Sequence, residues 1–224
     1  MQTFRALINI FIREYLITFR NFYDILSIIM FFIFGILIFV FSIGPEKEIY
    51  SKIGIGIIWT LLLLSTNLSI KKLFHDDFND GGLILFKLSG ISIEVVVIIK
   101  TLAVWIFFQL PFLAIIPISC IILNIEFSKM YLLMLTFVIS SPILTNIASI
   151  SSAMNLLNEK NFTIGSLIIM LLSIPVIIFS VNLINSSDEL INPQMNILIG
   201  ILLFFLAITP WASSACIKIA LNNK

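Results

Sequence analysis

Six stretches of about 20 predominantly apolar residues, each long enough to cross a hydrocarbon layer, leave this chain a single class of fold. Inside a bilayer no water satisfies backbone N–H and C=O groups, so a crossing segment must be a helix or a strand of a closed barrel. The apolar runs here are continuous rather than alternating, which selects helices. The expected fold is an all-α integral membrane protein with spans over residues 25–43, 53–70, 95–123, 130–153, 162–184 and 195–217. Only 11% of the 224 residues are charged, against roughly a quarter in a soluble domain. The spans and their connections use up the length, and residues 1–224 form one transmembrane domain.

Residues 1–21 keep helical periodicity without the apolarity of a span. Phe4, Leu7, Ile8, Phe11, Ile12, Tyr15, Leu16 and Phe19 recur at i, i+3, i+4 and i+7, with Gln2, Arg5, Asn9, Arg13 and Arg20 largely between them. That pattern predicts an amphipathic helix lying at the membrane surface, with Phe4, Phe11, Tyr15 and Phe19 as its anchors. Charged and polar residues continue to Asp24 with no small-residue cleavage site, so the segment does not read as a cleavable signal. The first span should stop at Gly44-Pro45. Pro111 and Pro117 should kink the long third span, or break it into a span and a short re-entrant turn.

An even number of spans puts both termini on one face. Ten of the lysines and arginines then share that face (Arg5, Arg13, Arg20, Lys71, Lys72, Lys87, Lys100, Lys160, Lys218 and Lys224), against Lys47, Lys52 and Lys129 opposite. The positive-inside rule makes the richer face cytoplasmic, or matrix-facing in an organelle.

On that face lies the one sizeable polar island of the interior, residues 71–90. It is expected to be a docking loop, on which a partner takes hold. Leu73, Phe74 and Phe78 should form one side of a short helix, with His75, Asp76, Asp77, Asn79 and Asp80 mostly around the other. Gly81 and Gly82 then stop it, because glycine accepts the left-handed conformation. Phe74, His75, Asp76, Asp77, Asp80, Gly81 and Gly82 are the candidate docking residues. The competing reading is a solvated turn that merely links two spans.

The chemistry missing from the sequence narrows the function. No GxxxxGK[ST] stretch is present to cradle nucleotide phosphates, and a single histidine excludes a bis-His haem site, an HExxH zinc motif or a His-based triad made within the chain. No catalytic, cofactor-binding or metal-binding residue is assigned. Cys120 and Cys216 read as packing residues, without a CxxC or a Cys/His neighbour. The span interiors show no evident mid-membrane charge of the kind ion-coupled carriers bury. Asn67, Gln109 and Asn146 are expected to bond to neighbouring helices rather than to line a path.

Ser42-Ile43-Gly44-Pro45-Glu46, then Gly56-Ile57-Ile58-Trp59, then Leu73-Phe74 with Asp76-Asp77 and Asp80-Gly81 resemble the CcmB family, the permease subunit of the cytochrome c maturation ABC transporter. Lys100, Trp105 and Pro111, Ser141-Pro142, Ile174-Pro175 and Pro210 continue the likeness over essentially the whole chain. The pattern departs at Lys71 and Lys72, where glutamate and arginine are usual, at Ile84, where glutamate is usual, and at Asn146-Ile147-Ala148-Ser149, where a glycine-rich stretch is usual. The resemblance implies an ABC-2-type permease with a separate ABC ATPase subunit docked on the 71–90 loop. It also implies a tryptophan-rich haem-handling membrane protein, a small single-span subunit and a periplasmic haem chaperone as partners. The resemblance leaves a second copy of the chain open as a further partner. Haem would be cargo, ATP would act through the partner, and the chain itself would be no enzyme. Membrane lipid is the remaining partner, with no nucleic acid, and the location implied is the bacterial inner membrane or its mitochondrial counterpart. An ABC-2 permease for another cargo, a passive scaffold and a stand-alone carrier are the rival readings.

Overall fold

The computed structural model describes residues 2–44, 47–70, 73–157, 163–186 and 188–223, leaving aside the side chains of residues 2–6, 47, 69, 70, 163, 164, 188 and 189. Pro45, Lys71, Lys72, Lys160 and Lys224 therefore lie outside the described residues, as does the side chain of the proposed anchor Phe4.

The chain runs through α1 (Gln2–Arg20), α2 (Phe22–Ile43), α3 (Lys47–Ile70), α4 (His75–Asn79), α5 (Gly82–Leu88) and α6 (Ile93–Val104). A π-helical turn (Trp105–Gln109) leads into α7 (Phe112–Ile122), followed by α8 (Phe127–Asn155), α9 (Thr163–Asn185) and α10 (Asp188–Asn222). No strand occurs among the described residues. Among the described residues six stretches are long and apolar enough to cross a membrane: Phe22–Ile43, Glu48–Leu68, Ile93–Ile122, Phe127–Asn155, Gly165–Asn185 and Leu190–Asn222. Each overlaps one of the six apolar runs, and the all-α, six-span expectation holds.

Helix α8 forms the centre of the bundle and packs against α9, α10 and α3. Lipid tails are as apolar as leucine, so association here depends on close approach and on hydrogen bonds between helices. Helix α8 accordingly buries Ser140, Ser141, Thr145, Ser149, Ser151 and Ser152. Ser140 and Ser180 share a hydrogen bond of 2.8 Å, and Thr101 donates to Ser149 at 3.0 Å. The apolar centre contains Phe32, Ile58, Trp59, Leu62, Phe112 and Phe137, all fully buried. Phe32 and Phe112 meet edge to face with centroids 5.2 Å apart, joining α2 to α7.

The first span ends where the sequence places its end, at Gly44, whose φ of 83° suits a residue without a Cβ. Tyr50 of the next helix closes that end: its hydroxyl lies 2.7 Å from the Val40 carbonyl and within reach of the Gly44 carbonyl, and donates to one at a time. Tyr50→Phe is expected to cost about 1 kcal/mol, the ordinary value of one such bond, read as a lower thermal midpoint in a fixed detergent.

The third span neither breaks nor re-enters. It continues through one widened turn, in which the Leu110 amide reaches back five residues to the Trp105 carbonyl at 3.1 Å. Pro111 has no N–H to offer, and the π turn before it absorbs the irregularity. Gln109 and Asn67 make the cross-helix bonds expected of them: Gln109 donates to Thr66 at 2.7 Å, and Asn67 accepts from Ser166 at 3.5 Å. Asn146 instead donates to the Pro142 carbonyl of its own helix at 2.8 Å.

Candidate functional site

The loop between the second and third spans folds as two short helices set by glycines. α4 ends at Asn79 with Asp80 as its cap, Gly81 follows at φ 75°, and α5 runs from Gly82 to Leu88, followed by Ser89 and a second left-handed glycine, Gly90, at φ 76°. Phe74, Asp77 and Phe78 stand at i, i+3 and i+4, so a helix presents them on one face. That face is buried. Phe74 (0% exposed) and Phe78 enter an apolar cluster with Leu83, Ile93, Val96, Val97 and Ile217.

Asp77, only 6% exposed, goes in with them. Two cations meet it there. Lys100 of α6 donates to Asp77 at 2.6 Å and to Glu14 of α1 at 3.1 Å. Arg13 forms a two-pronged pair with Asp77 and reaches Glu14 at 2.9 Å. Each cation thus touches both carboxylates, and the four groups make a closed ring of alternating sign that joins three helices. Lys100 and Glu14 are 4% and 7% exposed, while the Arg13 side chain is 39% exposed, with its guanidinium 5.5 Å from the Phe86 ring centre. Burial alone would raise the Asp77 pKa; the hydrogen bonds and charges of Arg13 and Lys100 outweigh it and hold the carboxyl below its usual range. The hydrogen bond to Asp77 raises the Arg13 pKa in turn.

The outward side of the loop is formed by other residues. Asp76, Asn79 and Asp80 are exposed, and His75, half-buried, bonds to Asn79 at 3.0 Å. On α5, Leu85 and Leu88 stand well out, 63% and 78% exposed, with Lys87 between them. The same end of the bundle carries the start of α6 and the end of α10, tied by Lys218 and Glu94 at 2.5 Å.

Of the surface-helix anchors, Phe11 is half-buried against Phe107 at 5.9 Å, and Tyr15 meets the same ring at 5.4 Å while remaining 44% exposed. Phe19 is 66% exposed and stacks with Tyr15 at 5.9 Å. Helix α1 is thus seated on the third span by part of its apolar face and presents the remainder outward.

A model of the CcmB protein family matches residues 5–220. The chain belongs to the CcmB family. It is 32% identical over 213 residues to Heme exporter protein B of Haemophilus influenzae, covering 94% of this chain and 96% of that one. It is 30% identical over 194 residues to Heme exporter protein B of Rhodobacter capsulatus, covering 86% and 89%. The Pseudomonas aeruginosa protein of the same name is 26% identical over 213 residues. Six spans and family membership together make this CcmB chain a multi-pass membrane protein.

For this CcmB member the structure redistributes the loop residues. Phe74 and Asp77, taken from the sequence as partner contacts, are buried in the chain itself, because they share a helix face with Phe78 and Asp77 finds two cations there. Asp76 and Asp80 keep the exposed position expected of them. The sequence reading missed Glu14 altogether, and it counted Lys100 on the cytoplasmic face and in the family likeness without giving it a partner. Their signal was a lysine set inside the apolar run VVVIIKTLAV and a lone carboxylate in an otherwise cationic helix.

Three helix irregularities also meet at one place. The π turn at Trp105, Pro142 of α8 and Pro210 of α10 line a cavity of about 330 Å³ whose walls are mostly apolar. Its polar members are largely paired within the bundle: Trp105 donates to Ser141 at 2.9 Å, and Thr145 donates to the Ser141 carbonyl at 2.8 Å. Among the described residues no group of three or more His, Cys, Asp or Glu side chains is placed to hold a metal ion. Cys120 is buried and Cys216 half-buried, both free.

Proposed function

We propose that this chain is the permease subunit of an ABC transporter serving cytochrome c maturation, and that a separate ATPase subunit docks on the exposed side of α4 and α5. In this reading ATP hydrolysis by the partner supports haem delivery, or release of a haem-loaded chaperone on the far side of the inner membrane. Both termini and the loop face the ATPase. The family and the names of its relatives support the haem assignment. The observation that carries the docking role is the form of the loop itself. Two glycine-set helices are held from below by buried aromatics and paired charges, and they leave Asp76, Asp80, Leu85 and Leu88 free to face a partner. An acidic patch beside two exposed leucines suits a groove with basic rims and an apolar floor.

Haem is cargo in this reading rather than a resident group. The one histidine, His75, sits in the loop and bonds to Asn79, so no histidine is available in a span to ligate iron.

The test is affinity purification from the native membrane in mild detergent, with mass spectrometry of the recovered proteins and an ATPase assay. Recovery of an ATPase with a tryptophan-rich haem-handling protein is the expected result. An ATPase alone would move the assignment to an exporter of another cargo, and no ATPase would favour a scaffold or carrier. The double change Asp76→Lys with Asp80→Lys should reduce ATPase recovery by about tenfold, the range of a few reversed interface charges, without altering thermal stability.

A further inference from the structure

The path from α4 to span three along the backbone contains two left-handed glycine turns, at Gly81 and Gly90, and passes through all of α5. Through side chains the same path is one hydrogen bond of 2.6 Å, from Lys100 to Asp77. Apolar contacts between Phe74, Phe78 and the α6 residues Ile93, Val96 and Val97 accompany it, but such contacts are non-directional and tolerate sliding. The charges do not. Because each cation contacts both carboxylates, sliding one helix by a turn, about 5.4 Å, would break two contacts of the ring at once.

Stability alone gives no reason for the ring, since buried ion pairs replaced by well-packed apolar groups often leave a protein equally stable. We infer that Arg13, Glu14, Asp77 and Lys100 are positioning residues, and that their ring fastens α4 to α1 and α6 so that displacement of α4 reaches span three directly. Lys100 is the decisive member, being the only one on a span. Arg13 and Glu14 make α1 travel with the pair. The role as transmitter rests on the docking reading above; the fastening itself does not.

The ring also dictates which variants are informative. Exchanging any one cation with one carboxylate would create two like-charge neighbours, so simple charge swaps cannot restore it. Glu14→Gln with Lys100→Met keeps the site neutral and leaves the Arg13–Asp77 pair intact, while α6 is untied. Lys100→Arg keeps both contacts possible.

The experiment compares these two variants with the unsubstituted chain in lipid nanodiscs, by amide hydrogen exchange and, in the purified complex, by ATPase recovery and coupled maturation output. In the double variant exchange in α4 should rise about tenfold and coupled output fall about tenfold, a typical coupling magnitude, with ATPase recovery unchanged. Lys100→Arg should preserve both. Unchanged coupled output in the double variant overturns the transmission, and unchanged α4 exchange overturns the fastening. Should the double variant fail to accumulate, spin labels at Asn79→Cys and Leu102→Cys, with Cys120 and Cys216 replaced by serine, decide the matter. Their separation should stay constant between nucleotide states, and a change with nucleotide refutes the joint. If the unsubstituted chain recovers no ATPase, the docking reading fails, and the exchange comparison still tests the fastening.

Discussion

Replacing Asp77 with alanine is expected to be the most damaging single change in the loop. The substitution removes the carboxylate that receives both Lys100 and Arg13 and leaves two cations sharing Glu14. The Arg13 side chain is exposed enough to turn toward water, but Lys100 is 4% exposed and has nowhere to go. Breaking a buried pair from one side typically costs about 3–5 kcal/mol, because the abandoned charge stays desolvated. The thermal midpoint should fall accordingly, and exchange in α4 should rise with it. Asp76→Ala and Asp80→Ala, on the exposed side, should stay within about 0.5 kcal/mol of the parent. A pH series separates the charge effect from lost packing. The Asp77 pKa is depressed in the fold, so its stabilisation is complete above the ordinary carboxylate pKa of about 4 and is lost as pH falls through the lowered value. The parent should therefore lose stability on acidification below that range, and Asp77→Ala should lose less. Equal acid sensitivity in the two proteins would remove Asp77 from its place as the keystone of the ring.

The loop shows why the architecture was more legible in the sequence than the site. Spans are set by the solvent: a run such as Phe22–Ile43, with one charge in 22 residues, has one stable disposition in a bilayer whatever its neighbours do. Glycine at a left-handed position is equally local, and Gly81 is found where helical periodicity stops. The destination of Asp77 is not local. Its partners lie 64 and 23 residues away, and without them the same carboxylate reads as a surface charge. Helical spacing did carry part of the answer, since Asp77 repeats with Phe74 and Phe78, and an aspartate on an apolar face requires a cation. Lys100 was the matching clue, a lysine two turns inside a span. The widening at Trp105–Gln109 lay beyond reach for a different reason: proline announces a break in hydrogen bonding, but neighbouring helices decide whether the chain kinks, reverses or takes an extra residue into one turn.

The second large effect is expected at Gly165, where, at the end of the bundle nearest the loop, the α9 backbone lies directly against polar side chains of α8. A Cβ there would stand 2.6 Å from Ser151 Oγ and from Asn155 Nδ2 of α8, which real packing does not allow. Both partners are buried, and the gap beside them is a polar pocket of about 10 Å³ lined by Asn67, Ser151, Ser152, Asn155 and Ser166. Ser152 Oγ makes no hydrogen bond within the described residues, and the space is about that of one water molecule. Gly165→Leu would push α9 away from α8 and α3 together and part Ser166 from Asn67. Overpacking of this kind costs about 1–3 kcal/mol, and lipid offers no hydrophobic return for the added side chain, because it is as apolar as the leucine itself. The expected result is a lower thermal midpoint and increased exchange at the facing ends of α8 and α9. Gly35→Ala supplies the contrast. Its added methyl meets only the distal carbons of Leu61, and shifting that apolar side chain within the core leaves no polar group unpaired, so its midpoint should fall by less. A Gly165→Leu protein as stable as Gly35→Ala would mean that α9 does not depend on this close contact for its place in the bundle.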